Sequence, residues 1–332
     1  MLTEADLSTA CPRVHLHLAP FTASTQVTQS LIQIGFGEAH QASTAHPGLL
    51  QVGLPPLGQT LGLECWEVSG PIERGQVDGL AYNYTEDFLF GWLLLEDSAH
   101  GDAFQRISAH AYTQLLGFVR ESGYPHILRI WNYFSAIHQL SDGLDRYQQF
   151  CLGRHQALCR AALQESELPA ATAIGTATPG LLIYFLAGKQ PGQQLENPRQ
   201  LSAFQYPRRY GPQSPSFSRA TLSHCGQHRQ LYISGTASIV GHETVHQDPI
   251  AQSTEIINNL KALLEQARLG IEHPGALDLI KVYVRDPAMQ PAIAHYLQQV
   301  LGGHEAIIYL RGDICRTDLL VEIEALCLNC PK

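Results

Sequence analysis

The sequence lacks any long hydrophobic run and any cluster of basic residues. No stretch approaches the roughly 20 apolar residues that a membrane-spanning helix requires. The first residues do not combine a basic segment with an apolar core, so we expect no signal peptide. Lys and Arg number 21 against 30 Asp and Glu, a formal net charge of -9 that argues against nucleic acid as a partner. We therefore expect a cytoplasmic protein with neither a membrane nor a nucleic-acid partner.

Cysteine is present but scattered. The chain has 8 cysteines among 332 residues, and no double CxxC pattern of a zinc ribbon is found. A chain of this length can bury a sizeable core without covalent cross-links. We therefore expect reduced thiols, as in cytoplasmic proteins.

Two segments have the pattern of a strand, an amphipathic helix and a second strand. Each helix shows apolar residues at three-to-four spacing and ends near a glycine, and Asp248-Pro249 marks the start of the second helix. The outgoing strand LRIW of the first segment matches IKVY of the second, which predicts an internal duplication. The predicted elements are 87–97, 103–123 and 126–134, then 229–240, 248–270 and 277–286, followed by a helix at 291–302 and strands at 306–312 and 318–328.

A long irregular stretch separates the two segments. Residues 187–222 are rich in Gln, Pro, Arg, Ser and Tyr, and such a long insert in a compact protein is usually functional or disordered. Its aromatic residues argue against disorder. We predict that it covers a binding site and that the chain divides into 1–186, 187–222 and 223–332.

The second half of the chain resembles the RidA/YjgF family of small deaminase-type domains. The resemblance rests on the SG at 234–235, DPIAQSTEIINNLKALLE at 248–265, KVYVRD at 281–286 and VEIEAL at 321–326. The insert at 196–220 and SGTASIVGH at 234–242 resemble more narrowly the chorismatases, which join a RidA-like half to a degenerate half of similar build.

This resemblance implies an α+β fold in which two RidA-like units form a pseudo-repeat, each with a mixed sheet and helices on one face. It also implies an enzyme that releases pyruvate from chorismate without a metal or an organic cofactor. RidA domains form trimers, and a fused pair could fill part of such a ring, so both a monomer and a trimer stay open.

Glu322 is the candidate general acid. Cleavage of the enol ether of chorismate begins with protonation of its methylene carbon, and a carboxylic acid with a raised pKa can donate that proton. Glu322 lies in the apolar strand LLVEIEALC, where burial would raise its pKa. Glu324 has the same parity and therefore shares its face. The pattern alone favours two solvated glutamates on an exposed face, but the resemblance assigns the catalytic role to the first.

The two carboxylates of chorismate call for cations or hydroxyl groups. Arginine suits this task because its planar guanidinium can bind a carboxylate through two hydrogen bonds. The resemblance implies substrate contacts for Tyr147, Arg154, Tyr206 and Arg219, and Tyr210 of the same insert is a further candidate.

Two residues bear on the product, Cys315 and Ala237. In the chorismatases, a Cys at the place of Cys315 accompanies hydroxybenzoate formation, and a small polarizable thiol leaves room for the ring and could relay a proton. Ala237 stands where the purely 3-hydroxybenzoate type has Gly, so we expect 3- and/or 4-hydroxybenzoate. A hydrolytic enzyme that yields a dihydroxy-cyclohexadiene carboxylate is the alternative. Thr236 could donate its hydroxyl to a substrate oxygen.

Other functions compete with this prediction. The HETVH sequence at 242–246 matches the HExxH motif of zinc hydrolases, but that motif needs a helix, and the helix here is expected to begin only near Asp248. A RidA-like imine deaminase is a second alternative, against which the long insert argues. A non-catalytic ligand-binding protein is a third.

Overall fold

The structure, a computed structural model, describes most of the chain. The described residues are 14–20, 30–42, 47–58, 62–97, 103–225, 228–271, 273–303 and 306–330.

The chain begins with a five-stranded sheet in the order β1-β5-β2-β4-β3. Its strands are antiparallel except for the parallel pair β2 and β4. The strands are β1 (Val14–Pro20), β2 (Ser30–Phe36), β3 (Gln41–Ala42), β4 (Leu49–Val52) and β5 (Gly62–Val68).

A first α+β unit follows, with a six-stranded sheet in the order β12-β9-β13-β8-β7-β6. Helices α1 and α2 pack on one face of this sheet and enclose a core with it. The elements are β6 (Glu73–Val77), β7 (Leu80–Tyr84), β8 (Phe88–Leu95), α1 (Ala103–Glu121), β9 (His126–Ser135), β10 (Leu140–Ser141), β11 (Leu144–Asp145), α2 (Arg146–Arg160), β12 (Ala170–Thr176) and β13 (Leu181–Gly188).

The second unit has a six-stranded sheet in the order β14-β15-β16-β21-β19-β20, covered on one face by α3 and α4. The elements are β14 (Gln193–Leu195), β15 (Ala220–Cys225), β16 (His228–Ala237), β17 (Ile239–Val240), β18 (Glu243–Thr244), α3 (Pro249–Ala267), β19 (Leu279–Val284), α4 (Gln290–Val300), β20 (Ile307–Arg311) and β21 (Val321–Cys330).

The two units repeat one topology, element by element. In each, a parallel strand pair (β9 with β12, β19 with β20) lies at one end, and the next two neighbours are antiparallel (β13 and β8, β21 and β16). The predicted pseudo-repeat with helices on one face is therefore confirmed, and so are the strand–helix–strand segments of both halves. Asp248 accepts hydrogen bonds from the backbone N–H groups of Ile250 and Ala251, as expected of the residue that starts α3.

The faces of the three sheets that carry no helices meet in a common apolar core. Trp66 of β5, Trp131 of β9 and Tyr283 of β19 are fully buried there. The five-stranded sheet, which the sequence did not predict, therefore closes the space between the two units.

The described helices include none that is long and apolar enough to cross a membrane. Cys151, Cys159, Cys315 and Cys330 are free thiols. Cys225 is disulfide-bonded, so the expectation of reduced thiols is wrong for this residue.

Candidate active site

A cavity of about 410 Å³ lies where the two units meet. Helix α2 and strand β12 of the first unit form one wall, and strands β16 and β21 of the second unit form the other. Residues of the segment 206–217, within the insert, also line it. Eight of the predicted site residues line the cavity: Tyr147, Arg154, Tyr206, Tyr210, Arg219, Ala237, Cys315 and Glu322.

Glu322 lies on the central strand of the second sheet, opposite Ala237 of β16 and Tyr283 of β19. The pairing of β16 with β21 shifts between Ile233 and Thr236, a bulge that contains Gly235. A Cβ atom at Gly235 would collide with the Glu322 carboxyl group, so glycine is needed for the carboxyl to lie against this backbone.

The environment of Glu322 favours its protonated form. The side chain is buried, with 5% of its surface exposed. Burial and the neighbouring Glu324 charge raise the pKa of Glu322 to about 8, against the opposing effect of Arg129 and Arg219. Glu322 can therefore hold a proton at neutral pH, as a general acid must.

Glu324 lies on the same strand face but in an opposite electrostatic setting. Its carboxylate is 2.8 Å from Arg129 and 3.0 Å from Lys281, and it accepts a hydrogen bond from the Trp131 indole at 2.8 Å. Lys281 and Arg129 lower the pKa of Glu324 despite its burial. The shared face is confirmed, and the alternative of two solvated glutamates is wrong because both are buried.

Three arginines point N–H groups toward the cavity. Arg154 is 3% exposed, and its Nε and Nη2 have no hydrogen-bond partner among the described residues. Arg219 donates to the Tyr206 hydroxyl and to the Leu201 carbonyl, both at 2.8 Å, and its Nε has no partner in the same described set. Buried donors without partners are costly, so such groups are suited to an anionic ligand.

Arg316 is the third arginine, and sequence reasoning missed it although it follows Cys315 directly. Its guanidinium lies 3.9 Å from the centre of the Tyr210 ring and 5.2 Å from that of Tyr206. It also donates to the His242 carbonyl at 2.9 Å, which fixes the rim of the cavity. This stacking places both tyrosines of the insert over the site.

The thiol of Cys315 lines the cavity near Glu322. Burial, followed by the Glu322 charge, raises the pKa of Cys315 to about 12, and burial raises that of Tyr147 well above its usual value. Both groups are therefore neutral at physiological pH and act as hydrogen-bonding or packing groups.

Two residues differ from the sequence-based expectation. Thr236 does not line the cavity; its hydroxyl donates to the Ser234 carbonyl at 2.9 Å, inside the bulge. Thr172 of β12 lines the cavity although nothing in its Ala-rich strand pointed to it. The Thr172 hydroxyl accepts hydrogen bonds from Arg129 and from the Gly235 N–H group.

The HETVH sequence does not form a zinc site in the described residues. It spans β18, and the next helix starts only at Pro249. His242 lies 3.2 Å from the Tyr210 hydroxyl, whereas His246 lies 3.6 Å from Glu255. No group of three metal-ligating side chains occurs in the described part of the molecule.

The chain was compared with known families, curated proteins and solved structures. Residues 64–187 match the family model described as "Chorismatase FkbO/Hyg5-like, N-terminal". A chorismatase of Streptomyces rapamycinicus is 38% identical over 274 residues, which are 79% of this chain and 81% of the relative. A 3-hydroxybenzoate synthase of Streptomyces hygroscopicus is 33% identical over 276 residues, or 79% of this chain and 80% of the relative.

A solved crystal structure of a chorismatase shares the whole architecture. Its TM-score is 0.87 at 31% identity, and the match covers 95% of this chain and 99% of the solved one. The chorismatase resemblance and the α+β fold expected from the sequence are thus confirmed. The matched length, the identity and the common architecture show that this chain belongs to the chorismatase family.

Proposed function

We propose that this protein releases pyruvate from chorismate to give 3-hydroxybenzoate and/or 4-hydroxybenzoate, with Glu322 as the general acid. The observation that carries the proposal is a buried carboxyl with a pKa of about 8 in a cavity lined by four arginines, three of which are Arg154, Arg219 and Arg316. The names of the chorismatase and 3-hydroxybenzoate synthase relatives support the substrate and the product class.

In the proposed reaction, the Glu322 carboxyl donates its proton to the methylene carbon of the enolpyruvyl group. The C–H bond forms as the double bond gives up its electrons, which leaves an oxocarbenium ion stabilised by the ether oxygen. Water or the ring hydroxyl then adds to this cation, and Glu322 takes back a proton as pyruvate leaves. The water taken up by the enolpyruvyl carbon equals the water lost when the ring becomes aromatic, so hydroxybenzoate and pyruvate together contain all atoms of chorismate.

The arginines hold the two substrate carboxylates in this proposal. A charge-assisted hydrogen bond contributes about 1.5–3 kcal/mol, and the donors of Arg154, Arg219 and Arg316 come from three different parts of the wall. Tyr206 and Tyr210 close the cavity above the ring. Exclusion of bulk water strengthens these interactions and protects the oxocarbenium ion from unwanted addition of water.

Cys315 and Ala237 are proposed to set the product. Both line the cavity, and Ala237 lies directly opposite Glu322 across the sheet. The Ala237 methyl group and the neutral thiol leave room for a flat ring beside the acid. This arrangement favours ring aromatisation over simple hydrolysis to the diene.

The test is an HPLC trace of chorismate incubated with the pure protein, with pyruvate measured in parallel. Hydroxybenzoate and pyruvate in equal amounts are expected. Glu322→Gln should lose about 10²- to 10⁴-fold in rate, the usual contribution of a general acid, whereas Glu265→Gln on the exposed side of α3 should match the wild type.

Other outcomes would contradict the proposal. Unchanged pyruvate release by Glu322→Gln would remove the acid role. A diene product would identify the hydrolytic type, ammonia from 2-aminoacrylate would identify an imine deaminase, and stoichiometric zinc with loss of activity to a chelator would identify a zinc hydrolase.

The remaining expectations stay proposals. We propose a cytoplasmic enzyme that acts without a metal or an organic cofactor, as a monomer or a trimer. The division at 1–186, 187–222 and 223–332 also stays a prediction. It differs from the sheet boundaries, because β13 ends within the middle segment, and β14 and the start of β15 lie in that segment although they belong to the second sheet.

A further inference from the structure

A buried cluster of four charges lies beside the cavity. Lys281 is 2.8 Å from Glu64 and 3.0 Å from Glu324, and Arg129 is 2.8 Å from Glu324. All four side chains are at most 1% exposed. They come from all three sheets: Glu64 from β5, Arg129 from β9, and Lys281 and Glu324 from the second unit.

Such a cluster stabilises a core poorly compared with apolar side chains. Removing ions from water costs several kcal/mol each, and apolar residues of similar size are often as stable or more stable in their place. The proton donation proposed above does not itself use the cluster. A role beyond stability would explain why these charges are placed here.

Two sets of contacts connect the cluster to Glu322. Along β21, Glu324 is two residues away on the same face, so its charge lies close to the Glu322 carboxyl. Through the wall, the Thr172 hydroxyl accepts hydrogen bonds from Arg129, which also contacts Glu324, and from the Gly235 N–H group. Gly235 is the residue against whose backbone the Glu322 carboxyl lies.

We propose that Glu324 is a positioning residue: held as a fixed carboxylate by Arg129 and Lys281, it keeps Glu322 in its neutral, proton-bearing form. This inference rests on the proposed function of Glu322 as the acid. The Thr172 bridge fixes the backbone beside that acid, so charge and geometry are set by the same cluster.

The groups around Glu322 support this role of the Glu324 charge. The titratable or charged groups that face it are Tyr147, Arg219, Cys315, Arg129, Tyr283 and Glu324. The tyrosines and the thiol are neutral because burial raises their pKa values. The two arginines favour ionised Glu322, and Glu324 opposes them.

The first test is the pH dependence of kcat/KM in Glu324→Gln. Without the negative charge, the pKa of Glu322 should be lower, so kcat/KM should begin to fall at a lower pH than in the wild type. The expected shift is about one pH unit or more, the usual effect of one close charge. The matched control is Glu64→Gln, which removes the other carboxylate of Lys281 but lies outside the strand of Glu322. In Glu64→Gln, kcat/KM should fall at the same pH as in the wild type. If Glu324 had a purely structural role, Glu324→Gln would instead lower activity equally at every pH.

A second variant guards against misfolding. Glu324→Gln leaves the cluster with one extra positive charge, and the double variant Glu324→Gln/Lys281→Met restores neutrality. The double variant should regain thermal stability, measured by circular dichroism, and should keep the downward shift of the pH profile. A regained wild-type profile would overturn the inference.

A third measurement separates this inference from the proposed function. The Glu322 carboxyl can be titrated by NMR with ¹³C-labelled glutamate, its signal being identified by its loss in Glu322→Gln. An unmoved Glu322 titration in folded Glu324→Gln would overturn the positioning role. Full activity of Glu322→Gln would instead overturn the acid role, while the titration would still report whether Glu324 controls Glu322.

Discussion

The two α+β units share one topology but contribute different chemistry to the cavity. Aligning the strand LRIW with IKVY makes Trp131 equivalent to Tyr283, and the strands paired with them then place Tyr184 at the position of Glu322. The second unit therefore supplies the carboxyl group, and the first has an aromatic residue in its place. The first unit supplies Arg154 from α2 instead.

This difference shows how two units of the same topology form a single site. Arg129 and Lys281 are also equivalent in this alignment, and both reach Glu324 of the second unit. Leu186 holds the place of Glu324 in the first unit. The duplication thus provides two cations, while Glu324, the carboxylate that both of them contact, occurs in the second unit.

The largest expected effect contrasts the two equivalent positions. Glu322→Gln should reduce kcat by about 10²- to 10⁴-fold because it removes the proton donor. Tyr184→Phe removes a hydroxyl that contacts Tyr133 at 3.2 Å and should change kcat by less than about threefold, with a stability loss of about 1 kcal/mol. Steady-state pyruvate release gives kcat of each variant, and urea unfolding gives its stability. A loss of kcat in Tyr184→Phe as large as that in Glu322→Gln would contradict the predicted difference between the two positions.

The next effect concerns stability and its pH dependence. The pKa of Glu322 rises from 4.5 to about 8 on folding, so between these values the folded state holds a proton that the unfolded state has lost. Stability therefore falls as pH rises through this window, by about 1.4 kcal/mol per pH unit. At pH 7 the cost reaches about 3 kcal/mol.

Glu322→Gln removes this cost, because an amide does not ionise. Its stability relative to the wild type should improve by about 3 kcal/mol between pH 4 and pH 7. Urea unfolding of both proteins at the two pH values gives this difference, and the constant cost of burying the amide cancels from it. The exposed Glu265→Gln should show no such change, and a flat Glu322→Gln comparison would mean that Glu322 is ionised in the fold.

The sequence predicted the helices and strands of the second unit better than those of the first. Helix α3 has buried apolar residues at Ile256, Leu260 and Leu263, so its periodicity was visible. Helix α2 was missed because it buries the polar residues Gln149 and Arg154 and thus lacks an apolar stripe. Residues that build a binding site break the pattern on which helix prediction depends.

The site itself could be located only in part. Strand alternation placed Glu322 and Glu324 on one face but could not tell the acid from the paired carboxylate. That distinction depends on Arg129 and Lys281, which come from separate strands 152 residues apart in sequence (281 − 129). Thr172 was missed for the same reason, since its neighbours in space belong to distant strands.

The smallest of these effects tests the contribution of the first unit. Arg154→Met should raise KM about 10- to 150-fold, because it removes a charge-assisted contact of about 1.5–3 kcal/mol, and kcat should change much less. The matched control is Arg160→Met on the exposed part of the same helix, for which KM should stay unchanged. A fall in kcat at constant KM in Arg154→Met would show that this arginine acts on the transition state rather than on binding. The first unit would then take part in catalysis as well as in substrate binding.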